Sequence, residues 1–371
     1  GAGDLDSKAF QAALEDRSIS LGFSSSRDDF GGALKTLTKH QDTAFDLLAL
    51  ALTNPRFEKD PVARMIESNL VRIRSNMTDP EWMNARLTNA VVFEGHPYAM
   101  NTGGTLSSLP KIMSDDLRTK FGQQFGKDNL MVSVSGDMTK EQLSMVLDKV
   151  FGDLPATSKV KVVEEAELSE TPSLVLYQQD IPQTVINMVL PGIKHDDSDY
   201  HAAEVLDFVL GSSGFGSRLT EEVREKRGLT YGIYSNLGEM DHSALLSIGA
   251  STKNESAQQV IDLTREVMNG LANAPITEKE LKDAKTYLVG SVPLQLTSTD
   301  RISSAMMSLQ SERLPVDYLD LRQAKIEAVT RDDILRVAKR LLSAQNVKII
   351  LVGKPQMRDT IKTVLSLPNV E

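Results

Sequence analysis

An internal repeat constrains this chain more than any other feature. Ile112-Met-Ser-Asp-Asp-Leu117 opens a stretch that closes with Asn129-Leu-Met-Val-Ser-Val-Ser-Gly136. Val329-Thr-Arg-Asp-Asp-Ile334 opens another that closes with Asn346-Val-Lys-Ile-Ile-Leu-Val-Gly353. Asp115 and Asp332, Asn129 and Asn346, and Gly136 and Gly353 are separated by one step of 217 residues (332 − 115). Each stretch predicts a capped helix, an Asn turn and a buried strand closed by Gly. Arg17-Ser-Ile-Ser-Leu-Gly22 also matches Arg227-Gly-Leu-Thr-Tyr-Gly232, at a step of 210 (227 − 17). One loop absorbs the difference, so the chain reads as two copies of one fold.

The second copy begins near Ser173, with predicted strands over 173–179 and 183–191 and a helix over 198–210. One repeat step earlier, their counterparts fall before residue 1. The expectation is a first copy lacking its first two strands and first helix, through cleavage or cropping, or because another molecule supplies them. A domain short of strands exposes a pairing edge. The predicted organisation is a first repeat over 1–158, a linker over 159–172 rich in Lys, Glu and Pro, and a second repeat over 173–371. Further helices are predicted over 45–52, 255–272, 278–288, 300–310, 316–327 and 331–342. The fold class is α+β: a tandem duplication of a mixed-sheet domain with helices packed on one face.

A length of 371 residues suits two domains, and 40% hydrophobic with 25% charged residues is a globular composition. No apolar run approaches the ~18 residues of a membrane helix, so no membrane insertion is expected. The net charge of −10 argues against nucleic acid and anionic membrane surfaces. Absence of cysteine excludes disulfides and thiol chemistry in this chain. The histidines are His40, His96, His195, His201 and His242, and no two have metal-ligand spacing. His201-Ala-Ala-Glu204-Val205 comes nearest to H-x-x-E-H but ends in Val, so both residues read as bystanders. His96-Pro97-Tyr98 reads as a turn anchor.

The segment from Ser217 to Ser235 carries the chemistry. It predicts a helix stopped by Gly228 and followed at once by a strand, a turn that could aim Arg224 and Tyr231 at one point. Two fixed donors suit a peptide carbonyl whose oxygen gains charge during hydrolysis. The plain alternative is an Arg favourable against the helix dipole and a Tyr common in strands. The repeat sets Leu14 and Leu21 at the matching places, making the pair special to the second copy. Gly211-Ser-Ser-Gly214-Phe-Gly216 lacks the Lys-Ser/Thr of a phosphate loop and follows a helix. It reads as a helix–helix connection with Ser217 as N-cap, or as a mobile loop contacting peptide.

Three stretches together with the duplication resemble the insulinase/pitrilysin zinc peptidases, in their mitochondrial-processing-peptidase-like branch. They are residues 211–235, the run Glu94-Gly-His-Pro-Tyr-Ala-Met-Asn-Thr-Gly-Gly104, and residues 294–342 with Ala328-Val-Thr-Arg-Asp-Asp333. The resemblance implies paired α+β domains closing into a chamber for short or unfolded peptides. It implies zinc held by an H-x-x-E-H helix, the element expected to be missing here, and by a glutamate on a later helix. Arg72 stands at that glutamate's place and Met65 at that of a second acidic residue, with Glu67 out of register. A cation there would repel zinc, so the resemblance implies no cofactor on this chain and zinc on a partner. It implies that Arg224 and Tyr231 hydrogen-bond the substrate backbone, and that Gly211, Gly214 and Gly216 belong to a substrate loop.

The chain is thus expected to be the non-catalytic, substrate-binding subunit of a heterodimeric zinc metallopeptidase, inactive alone and partnered by an H-x-x-E-H homologue. The alternatives are a complete zinc metalloendopeptidase whose H-x-x-E-H helix lies outside this sequence, and a structural subunit of a larger complex. A periplasmic location is expected, with the cytoplasm as alternative.

Overall fold

The computed structural model describes residues 1–100, 102–168, 173–343, 346–368 and 370–371. The second repeat builds on hydrophobic strands. β3 (Ser173–Gln178), β4 (Gln183–Pro191), β5 (Thr230–Met240), β6 (Ser243–Lys253), β7 (Lys348–Gly353) and β8 (Lys362–Val364) form a six-stranded sheet in the order β5-β6-β4-β7-β3-β8. β7, Lys-Ile-Ile-Leu-Val-Gly, is buried along its whole length. It lies antiparallel to β4 and parallel to β3, so both of its edges are hydrogen-bonded and both faces are covered, as a continuous apolar run requires. β5 stands at the sheet's edge.

One face carries α7 (Tyr200–Asp207), α8 (Ala257–Asn273) and α12 (Arg331–Leu341). Their apolar stripes meet the sheet in the main core, which includes Leu206, Leu210, Leu219, Val223, Ile261, Met268 and Val337. Thr330 starts α12 as half of a capping box with Asp333, and Thr277 does the same with Glu280 for α9 (Glu278–Gly290). α10 (Thr299–Ser311) and α11 (Tyr318–Ala328) complete this half. The helices expected from periodicity all form, with ends shifted by a few residues at most.

The first half contains α1 (Ser7–Glu15), the hairpin β1 (Ser20–Ser25) and β2 (Phe30–Lys35), then α2 (Gln41–Thr53), α3 (Lys59–Asn76), α4 (Pro80–Val92), α5 (Ser114–Gln124) and α6 (Lys140–Phe151). α5 and α12 begin at the repeat step of 217 (331 − 114). The hairpin β1–β2 takes the place of β5–β6.

One expectation fails. Residues 131–136 should form the counterpart of β7, yet they form no strand, and Met131 and Val134 are exposed. β7 is held between β4 and β3, and among the described residues the first half has no strand in either place. The segment instead leans on α10, where the Ser133 hydroxyl donates to Ser303 O at 2.8 Å and Gln310 Nε2 donates to Val132 O at 3.0 Å.

The halves share a core. α4 lies across the second sheet's other face, where Leu87, Val92 and Phe93 pack with Val175, Val189 and Ile350. Buried Asn84 on α4 donates to Ile350 O at 3.0 Å. The hairpin tips also meet: Tyr98 Oη donates to Asp28, His242 N–H donates to Tyr98 Oη at 3.1 Å, and Arg27 donates to Tyr98 O. Residues 153–168 form no helix or strand, and Ala166 N–H pins this strap to His242 O at 2.8 Å. The expected linker's residues 169–172, and Asn101 of the 94–104 run, lie outside the described residues. No helix among the described residues is long and apolar enough to cross a membrane.

Candidate functional site

Arg224 and Tyr231 flank a left-handed turn that both copies use. Gly228 has φ +62°, its N–H returns to Arg224 O at 2.8 Å, and Leu229 N–H reaches Val223 O at 3.1 Å. In the first copy Ser18 has φ +53° and Ile19 N–H reaches Leu14 O at 3.0 Å. Ser18 corresponds to Gly228 and Ile19 to Leu229, as the sequence register sets them. Leu14 does not correspond to Arg224. Its bonding partner places it opposite Val223, which is buried as Leu14 is.

The extra residue in the second copy is a π-helical turn, Thr220–Glu225, in which Lys226 N–H reaches Glu221 O at 2.9 Å. One added residue rotates those after it by about 100° around the helix. Val223 therefore fills the core position and Arg224 turns out of it. π-bulges of this kind recur at functional sites.

A second irregularity aims the phenol. β5 pairs Thr230 with Thr252 and then Ile233 with Ala250, so Tyr231 and Gly232 oppose one residue of β6. This is a β-bulge, which re-aims a side chain at a sheet edge. Buried Thr230 stabilises it: the hydroxyl lies 2.8 Å from both Gly232 O and Ser251 O and accepts Gly232 N–H at 3.1 Å. The Tyr231 side chain ends 90% exposed. The first copy's hairpin keeps regular register from Ser20↔Lys35 to Ser25↔Phe30, and Leu21 packs against the small core there.

The donors are uncommitted. Lys226 pairs with Glu222 at 2.6 Å, Arg227 with Glu222 at 2.7 Å and Arg218 with Glu280 at 2.7 Å. Arg224, its side chain 36% exposed, meets Glu225 through Nε at 3.4 Å. Among the described residues its two Nη groups and the Tyr231 hydroxyl make no hydrogen bond. The Arg224 guanidinium lies over the Phe215 ring, 4.5 Å from its centroid.

Phe215 tips the glycine loop. Gly214 (φ +66°) and Gly216 (φ +99°) adopt backbone conformations that side chains rarely tolerate. Gly211 serves close approach instead, since a Cβ there would stand 2.5 Å from Ser235 N of β5. Ser235 Oγ in turn donates to buried Asp207 at 2.5 Å. Burial pushes the Asp207 carboxyl up, against the lowering effect of its hydrogen bonds from Ser235, Ser212 and Leu237 N–H. Ser217 Oγ accepts Thr220 N–H at 3.4 Å and donates to Gly214 O at 2.9 Å, closing the loop onto the helix.

Arg218 anchors that helix to α9. Its Nε and Nη2 donate to the two oxygens of Glu280 at 2.7 and 3.0 Å, and Thr277 N–H donates to Glu280 at 2.7 Å. Burial would raise the Glu280 carboxyl, but Arg218 and Thr277 outweigh it and hold it at about 2, below its ordinary 4.5. A depressed pKa contributes stability that is full above 4.5 and lost as pH falls towards 2. Glu280→Gln is expected to cost about 1–2 kcal/mol at pH 7 after allowance for partial solvent screening. It should also flatten the loss of stability between pH 4.5 and 2 in urea melts; an unchanged acid slope would refute this.

The position that the resemblance equates with a zinc-ligating glutamate carries a cation. Arg72 is exposed on α3, donates to Asn69 Oδ1 at 2.8 Å and lies against Gly103. Burial first, and then the Arg72 charge, push down the pKa of Arg86, whose guanidinium stacks on Trp82 at 3.9 Å. Two cations close enough to repel each other make a poor setting for a third. His201 and Glu204 pair at 3.3 Å, and Glu204 also takes Arg322. His96 accepts Tyr98 N–H at Nδ1 and meets Glu164 O through Nε2, a turn anchor as expected.

Comparison with known proteins places the chain in a family. The family model of the Peptidase M16 inactive domain matches residues 111–288. The non-peptidase homolog YmxG of Helicobacter pylori (strain ATCC 700392 / 26695) is 30% identical over 302 residues, 80% of this chain and 68% of that protein. The chain belongs to the M16 peptidase family. A further relative, the probable inactive metalloprotease YmfF of Bacillus subtilis (strain 168), is 24% identical over 83% of this chain and 73% of its own length. The crystal structure of a peptidase M16 inactive domain from Pseudomonas fluorescens superposes with a TM-score of 0.89 at 25% identity. It covers 98% of this chain and 87% of that one. The α+β fold and the insulinase/pitrilysin resemblance therefore stand, with this chain a homologue of inactive M16 members.

Sequence reasoning singled out Arg224, Tyr231 and the glycines but missed Phe215, Arg218 and Thr230. Thr277-x-x-Glu280 was legible as a capping box. Its second partner, Arg218, lies 62 residues away and left no local signal.

Proposed function

We propose that this chain is the substrate-binding, non-catalytic subunit of a two-chain M16 peptidase. Its partner is a homologous subunit bearing H-x-x-E-H, and a peptide or unfolded protein segment is taken between them. One observation carries the reading: two local irregularities, a π-turn and a β-bulge, turn an uncommitted guanidinium and an uncommitted phenol out of the fold. Relatives named non-peptidase and inactive support a chain that does not cut by itself.

Peptide hydrolysis places negative charge on the carbonyl oxygen as water adds. The planar fork of Arg224 and the hydroxyl of Tyr231 donate to that oxygen or to the next carbonyl along the backbone. Donors fixed beforehand need no reorganisation when the charge develops, which makes such groups effective once water is excluded. The metal and the water it activates belong to the partner; this chain grips and orients the backbone. In peptide-hydrolysis assays of this chain, of an H-x-x-E-H homologue and of their mixture, only the mixture should turn over substrate efficiently. Full activity of either chain alone would overturn the reading.

A further inference from the structure

We propose that Phe215 forms an apolar side-chain subsite beside the carbonyl gripped by Arg224, and so selects peptides with a large apolar or aromatic residue there. The inference rests on the reading of Arg224 as a backbone donor and adds to it the class of substrate preferred.

Phe215 is 73% exposed. A phenyl ring left this wet at a loop tip gains little from burial on folding. The loop nevertheless fixes where the ring goes. Its base is set by the tight approach of Gly211 to Ser235, and its end by the Ser217 bonds to Gly214 and Thr220. Between these, two glycines in left-handed conformations carry Phe215, and a Cβ at either would meet nothing. The ring is thus delivered onto Arg224 at 4.5 Å and keeps space to re-aim.

The stack has two effects. It covers one face of the guanidinium and restricts where the planar fork can swing. It also puts an apolar ring within one side chain's length of whatever carbonyl the Nη groups hold. A backbone bound at Arg224 therefore finds charge for its carbonyl and aromatic carbon for the neighbouring side chain. A small or charged residue there would leave that carbon wet.

The test uses binding, which needs no partner chain. Two fluorescent extended peptides, identical except for Phe or Ala at one central position, are titrated into the wild-type chain and its variants by anisotropy. The wild type should prefer the Phe peptide by about tenfold. In Phe215→Ala the preference should fall towards unity, and Phe215→Leu should retain part of it. Arg224→Ala should weaken both peptides together and keep their ratio. If Arg224→Ala weakens both while Phe215→Ala keeps the full preference, the subsite is refuted and the backbone grip survives. If Arg224→Ala changes neither, or neither peptide binds the wild type, the grip fails and the subsite with it.

Discussion

Replacing Arg224 by Ala, or Tyr231 by Phe, is expected to cut turnover of the assembled peptidase by about 10²–10³-fold, while the subunits still associate. That is the loss of one preorganised donor to a developing oxyanion, about 2.7–4 kcal/mol. The fold should tolerate both changes. Among the described residues the Arg224 side chain's polar and ring partners are Glu225 and the exposed Phe215 ring, and the Tyr231 ring is almost fully in water. Arg224→Lys should recover only part of the loss, because an ammonium keeps the charge without the planar fork. The double variant should lose less than the sum of the singles if both donors serve one oxygen. Kinetics of the assembled subunits with size-exclusion chromatography check this. Unchanged turnover in both single variants would defeat the assignment.

Gly211→Ala should be the most damaging small change near the site. Its new Cβ would stand 2.5 Å from Ser235 N and 2.6 Å from Ser235 Oγ. The nitrogen is backbone in β5, and the hydroxyl is tied to Asp207 beneath it. Neither can move aside cheaply, so β5 or the loop must shift. Overpacking of this kind costs about 3 kcal/mol, and Tm should drop by roughly 6–12 °C. Gly214→Ala is the control. It meets no atom but keeps φ +66°, so strain alone applies, about 1–2 kcal/mol. Thermal melts of the two variants should differ clearly. Equal losses would mean that the approach of Gly211 to β5 does not set the loop.

The legible parts were those written in local pattern. Apolar periodicity predicted α8 to α12. The continuous run Ile349 to Val352 predicted a buried strand. The shared turn at Ser18 and Gly228 was visible because both copies keep an Arg before it and a Gly four residues after it. What stayed hidden depended on pairing at a distance. Residues 131–136 carry the same signal as β7, yet a strand needs neighbours, and pattern cannot report whether neighbours are present. The π-turn was hidden for a different reason. An inserted residue in a helix looks like any other, so the aligned sequences set Leu14 opposite Arg224 and gave the right contrast from the wrong register. The bulge at Tyr231 left no distinguishing trace, because Gly232 is matched by Gly22 in the regular hairpin of the first copy.

These two insertions also explain how one fold serves two ends. In the first copy, a regular helix and a regular hairpin point Leu14 and Leu21 into a small core with Ile19, Ala44 and Leu47. In the second, one added residue in each element turns the corresponding stretch outward, and the core position passes to Val223. Backbone insertions change direction without changing the scaffold.

The most direct measurement is the metal content of the assembled subunits. With zinc and protein quantified together, the complex should hold one zinc, and substituting the histidines of the partner's H-x-x-E-H should remove that zinc and the activity together. Arg72 on this chain should be replaceable by Ala without altering the count. Zinc that stays with this chain after the partner's motif is gone would contradict the account.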